Sequence, residues 1–241
     1  MKRLNEAWFR FGGVDSTDMG VTMVEMPKRS LPTLKGRFRT VSGQDGEQLV
    51  SDGTYENVEL SFAFDVRNRD DVSAVDGWLT GTGRIRFSDE EDREYQVLRI
   101  KSLSRSSITK HLDGQRYKAT LTCHPFKYGW PYAKAKEFTT SGGKLTNPGT
   151  APSKPRVKIT GSGDFSVSIG LETLFFSNVS GGGIIVDSEL MDAFTYDGTN
   201  LANDNVSGQF WAIRPGVNFV TWVVEEGSVS KVEILPRWRW K

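Results

Sequence analysis

The sequence predicts a mainly β protein with one short helix, and three observations carry that prediction. Apolar residues recur at period two in short runs, as at Val58, Leu60, Phe62 and Phe64 and again at Phe165, Val167 and Ile169. Such spacing turns one face of each run inward and leaves the other to solvent. Between the runs lie turn-forming residues, with 25 glycines and 9 prolines in 241 residues, which suits short strands joined by tight connections. A single stretch breaks this pattern with convincing helical spacing.

The elements follow in chain order. From Trp8 to Phe126, "WFRFGG", "VTMVEM", "RFRTVSG" and "VELSFAFDV" read as strands, with "VSGQDGEQ" as a turn between two of them. "NRDDVSAVDGWLTG" is the helix: Asp70 or Asp71 is its N-cap, Val72, Val75 and Leu79 share a face, and Gly81 ends it. Gly77 inside it costs about 1 kcal/mol relative to alanine. Strands resume at "GRIRF", and "SDEED" turns into "EYQVLRIKSL". "SRSSITKHLDGQRYKATLTCHP" then reads as a hairpin reversing at Asp113–Gly114, a strong turn dipeptide. Its arms are polar on both faces near the tip, so they are expected to project and meet something outside their own domain.

After Tyr132 the composition shifts to Gly, Pro, Ser, Thr and Lys. Residues 1–135 are therefore expected as one domain, 136–152 as a linker and 153–241 as a second domain. The last segment holds "RVKIT", "DFSVSIG", "LFFSNV", "GIIVDS", "FWAIRPGVNFVTWVV" and "VSKVEILPRW" with no helix, which favours a compact antiparallel β-sandwich.

Composition narrows the function. Thirty-one Lys and Arg against 30 Asp and Glu leave a net charge of +1, too little for broad or sequence-specific nucleic-acid binding. The single cysteine can form no intrachain disulfide, which is compatible with folding in a reducing cytoplasm. "MKRLNEAWFRFGG" lacks the apolar run of a signal peptide, and no window is long and apolar enough for a membrane span.

No residue set reads as a catalytic, metal or cofactor site. Cys123 and His124 are neighbours on a strand and so face opposite ways, which leaves Cys123 as a core thiol. Asp89, Glu90, Glu91, Asp92 and Glu94 read as a solvated turn. Asp197, Asn200, Asn203 and Asp204 make an oxygen-rich loop without the ligand alternation and closing glutamate of a calcium hand. "GTGR" follows a helix and opens a strand, the reverse of a phosphate loop. Trp211 and Trp222 read as core. Trp238 and Trp240 alternate with Arg237 and Arg239, as in an edge strand with one aromatic face or a tail docked on a neighbour.

The succession "FRFGGVDSTDMGV", "VSGQDGEQLVSDGTYENVELSFAF", "WLTGTGRIRFSDEEDREYQVLRI" and "ATLTCHPFKYG", followed by "IIVDSELMDAFTYDGTNLA", "FWAIRPGVNFVTW" and "VEILPRWR", resembles the distal tail protein (Dit) family of siphophages. The resemblance implies an N-terminal β-sandwich-like domain with one helix and a C-terminal galectin-like β-sandwich. It implies a non-enzymatic tail-tip, or baseplate, hub without cofactor or metal: a homo-hexameric ring between the major tail tube protein and the tail-associated hub protein, to which a receptor-binding protein can attach. The expected location is the virion, after assembly in the host cytoplasm. Within such a ring the hairpin residues His111, Asp113, Gly114 and Arg116 are expected as an inter-subunit arm. The alternative function is a carbohydrate-binding, lectin-like module that contacts the host cell wall.

Overall fold

Strand propensity and alternation set the architecture. The protein is described by a computed structural model covering residues 7–108 and 111–241, with backbone alone at 111 and 112. It is mainly β with antiparallel pairing, in two compact units that divide after Lys127.

The first unit contains β1 (Phe9–Phe11), β2 (Val14–Asp15), β3 (Val21–Lys28), β4 (Arg37–Thr40), β5 (Glu47–Val50), β6 (Val58–Val66), β7 (Gly83–Phe87), β8 (Arg93–Ile108) and β9 (His111–Gly129). Its main sheet has the order β2-β1-β7-β8-β9-β6-β3, while β4 and β5 pair only with each other. The period-two residues of β6 are buried as expected, and they pack with Phe9, Ile85, Phe87, Tyr117 and Leu121. Helix α1 (Val72–Trp78) closes this core. Trp78 stacks on Phe9 at 5.3 Å between ring centroids, and its indole N–H donates to the Phe11 carbonyl at 3.0 Å.

Two expectations shift here. Asp71 holds the N-cap position of α1, as expected, but the side-chain cap lies before it: a 3-10 turn (Arg69–Asp71) precedes α1, and its own cap Asn68 accepts the Asp70 N–H at 3.2 Å. Asp71 makes no side-chain cap bond. β8 and β9 are neighbours in the sheet, but Asp113 and Gly114 lie within β9 rather than at a turn. Register explains the slip: β9 pairs with β6 from Gln115↔Val66 to Cys123↔Val58, with Tyr117, Ala119, Leu121 and Cys123 turned inward. A buried face specifies register more strongly than a turn dipeptide does.

The second unit contains β10 (Lys136–Phe138), β11 (Gly143–Asn147), β12 (Arg156–Ile169), β13 (Glu172–Val179), β14 (Gly183–Asp187), β15 (Asp192–Thr195), β16 (Val206–Gly208), β17 (Gly216–Leu235) and β18 (Arg239–Trp240). The stretch expected as a linker, 136–152, differs from that expectation: β10 and β11 lie in it, and both pair with β17.

β12 and β17 run side by side and each serves two sets of neighbours. β12 passes from β14 (Arg156–Thr160) to β13 (Gly163–Ile169), and β17 passes from β11 (Gly216–Val220) to β10 (Val232–Ile234). The ladder between them is irregular at Thr160/Gly161 and Asp164/Phe165. Bulges of this kind let a strand bend and change partners. Gly163 and Gly227 face each other there with φ of +89 and +91, and a Cβ on either would lie 2.2 or 2.0 Å from a carbonyl oxygen of the opposite strand. Only glycine fits both constraints.

Candidate functional site

The sequence singles out Cys123 and His124, and the fold separates them. Cys123 is fully buried against β6, and burial pushes its thiol up to about 12, so it stays protonated near neutrality. His124 lies on the other face, where its Nδ1 accepts the Phe126 N–H at 3.3 Å. The two do not form a nucleophile–base pair.

The acidic segments are neutralised by local partners. Arg29 donates to both Asp89 oxygens at 2.6 and 2.8 Å, Lys127 reaches Glu90 at 2.6 Å, Arg93 pairs with Asp92, and Arg84 approaches Glu94 at 3.3 Å. In the other loop, Asp197 accepts from the Thr195 and Thr199 hydroxyls at 2.5 and 2.9 Å, bonds that hold its carboxyl below its ordinary range. Asn203 is used in the same way, accepting the Ala193 N–H at 2.6 Å and donating to Asp192 at 2.9 Å. Among the described residues, no three His, Cys, Asp or Glu side chains converge as metal ligands.

The C-terminal tail is tied into its own unit, and Arg239–Trp240 form a short strand, as the edge-strand reading expects. Trp238 joins the core of the second unit, and the Arg239 carbonyl accepts the N–H groups of Thr150 and Ala151 at 3.1 and 3.2 Å. Arg237 forms a two-pronged contact with Asp187, 2.7 Å at each oxygen, and also donates to Glu189 at 3.1 Å. Tyr128 donates to the other Glu189 oxygen at 3.0 Å. Burial alone would raise the Asp187 carboxyl, but the Arg237 contact and the N–H groups of Glu189 and Leu190 outweigh it and hold it below the ordinary range. A carboxyl depressed on folding contributes stability above its unfolded value, near 3.9, and loses that contribution as pH falls through its lower folded value. The expected result is an Asp187 titration midpoint below 3.9 by carbon NMR, with the clamp intact at pH 5.

The expected arm residues His111, Asp113, Gly114 and Arg116 lie along β9. His111 has its side chain outside the described residues, Asp113 is exposed on β9, and Arg116 donates to both Asp65 oxygens of its own sheet at 2.8 and 2.9 Å.

The hairpin of β4 and β5 offers a surface that sequence reasoning missed. Phe38 and Leu49 are cross-strand partners, 67% and 46% exposed, and Arg37 and Arg39 occupy the opposite face. Leu31, at the base, is 78% exposed. The base is held by Lys35 N–H to the Thr54 carbonyl and Glu56 N–H to the Thr33 carbonyl, both 2.8 Å. A lone two-stranded hairpin is marginally stable in water, and an exposed apolar face of this kind marks a contact surface. The sequence carries no signal for it, since Phe38 and Leu49, the latter beside Val50, read as ordinary half-buried strand residues.

No protein-family model matches the chain, and no curated protein matches it. Among solved structures, the chain is similar to the SPP1 Dit protein, described as a paradigm of the hub adsorption apparatus in phages that infect Gram-positive bacteria. The match has a TM-score of 0.72 and 18% identity over 95% of this chain and 98% of that one. The phage p2 baseplate aligns over 95% of this chain and 97% of that chain, with a TM-score of 0.44 and 9% identity, too distant to carry an argument. The chain has the fold of the SPP1 Dit protein across both of its β units.

Proposed function

We propose that this chain is a structural subunit of a phage tail tip, assembling through its first unit into a hexameric ring. In this reading the ring joins the major tail tube protein to the tail-associated hub protein, and receptor-binding proteins attach around it. The subunit is part of the virion and assembles in the host cytoplasm. The fold shared with SPP1 Dit over nearly the whole of both chains supports the assignment.

The observation that carries the ring is the exposed face of the β4–β5 hairpin. Closed cyclic assemblies need two different complementary patches on each subunit, one projecting and one receiving. A hairpin that buries neither face in its own sheet supplies the projecting patch.

Light-scattering mass after size exclusion, across a dilution series, tests this. The expected mass is six times that of the 26.9 kDa chain and holds on dilution. A mass of one chain at every concentration counts against self-assembly.

A further inference from the structure

The outer face of the second unit has a composition unlike the rest of the surface. Phe175 on β13 and Phe219 on β17 stand exposed between buried neighbours, Leu174 and Phe176 for the one and Asn218 and Val220 for the other, and Val223 is exposed as well. Register brings hydroxyl groups between them. Ser168 of β12 pairs with Thr221 on one side and Thr173 on the other, and Ser166 pairs with Val223 and Phe175. The Ser168 and Thr173 hydroxyls are 2.7 Å apart, a row of small polar groups fixed on a rigid sheet.

Three considerations decide what such a face can hold. The first is charge: between Phe219 and Val223 of β17, and at the outward positions paired with them on β11, β12, β13 and β16, Lys144 alone is charged, and the pair Asp164↔Glu226 borders the end beyond Val223. Anionic polymers need several cations on one face, so they are poor candidates. The second is area. Five strands at about 4.8 Å spacing and six residue steps along β17 at about 3.3 Å give a footprint of roughly 400 Å². A stable protein interface needs about 800 Å² per partner, twice that figure.

The third is chemistry. Serine and threonine hydroxyls both donate and accept, as sugar hydroxyls do, and exposed aromatic faces take the apolar side of a sugar ring. Phe175 and Phe219 lie two strands apart and four residues apart along β17, a separation of about 16 Å. That distance suits a chain of several sugars better than a single ring.

We infer that this face, built on β17, β12 and β13, binds an uncharged polysaccharide chain with its ends on Phe175 and Phe219. The inference is independent of ring formation, since the face belongs to the second unit alone.

The test is isothermal titration of the full-length protein with dextran, a soluble galactan and a soluble β-glucan, beside polyglycerol phosphate as the anionic probe. At least one neutral polymer is expected to bind with Kd below about 1 mM. Phe175→Ala and Phe219→Ala are each expected to weaken it about tenfold or more, with melting temperature and oligomeric mass unchanged. Three results would overturn the inference: silence across the neutral panel, binding that survives the double variant, or binding confined to polyglycerol phosphate. Loss of oligomeric mass in the Phe variants would also overturn it, because the face would then be a protein contact.

Discussion

Phe38→Asp is expected to leave the chain folded and to reduce the proposed hexameric ring to single subunits. Phe38 is two-thirds exposed, so its replacement costs the isolated chain little, within about 0.5 kcal/mol. In the proposed ring that position is covered, and a carboxylate there would lose its water without gaining a partner, at a cost of several kcal/mol. Loss of a central aromatic anchor alone costs about 2 kcal/mol or more, a factor of about 30 in affinity at each of the equivalent contacts. The measurement is light-scattering mass together with circular dichroism, and the expected result is a one-chain mass with an unchanged spectrum. Arg116→Glu is the informative comparison. If that variant breaks the ring while Phe38→Asp leaves it whole, the inter-subunit contact lies on the β8–β9 arm instead.

Gly227→Ala is expected to be among the most damaging single-methyl changes in the second unit. The added Cβ would stand 2.0 Å from the Ser162 carbonyl oxygen, in a backbone conformation with φ of +91. Ser162 is itself strand backbone in the β12–β17 ladder, so neither partner can rotate away and the ladder has to open. Strain and overpacking together cost roughly 3 kcal/mol or more, and lower the melting temperature by roughly 10 °C or more. Gly181→Ala separates the two causes: φ is +66 there, but nothing lies within 4 Å of the new methyl. Only the left-handed strain remains, about 1 kcal/mol. Equal destabilisation by the two substitutions would show that the clash at Gly227 relaxes at no cost.

What the sequence made legible follows from how local each determinant is. The alternation in β6 and β12 is written within nine and fourteen residues, so both strands and the inward direction of Val58 and Phe165 could be read directly. The opposed faces of Cys123 and His124 came from the same rule. The Asp113–Gly114 turn could not be placed from its own neighbourhood, because β6 on the far side of β9 sets the register. The 136–152 stretch read as a linker because β10 and β11 are only three and five residues long and sit among glycines. Ser141, between them, serves as a strand substitute: its hydroxyl accepts the Trp222 N–H at 2.9 Å and donates to the Trp222 carbonyl at 3.2 Å. The exposed hairpin face was hidden for a different reason. Phe38 and Leu49 look like any half-buried strand pair, and what distinguishes them is that no sheet receives them.

The shared strands β12 and β17 also bear on how the second unit responds to load. A layer held by its own separate strands could peel away while the other stayed intact. Here the two long strands are common to both sets of neighbours, so opening the β12–β17 ladder loosens both sets together. Cooperative units of this kind open all at once or remain closed. The glycine crossing that costs the unit its tolerance of substitution therefore also makes it yield as a single mechanical element.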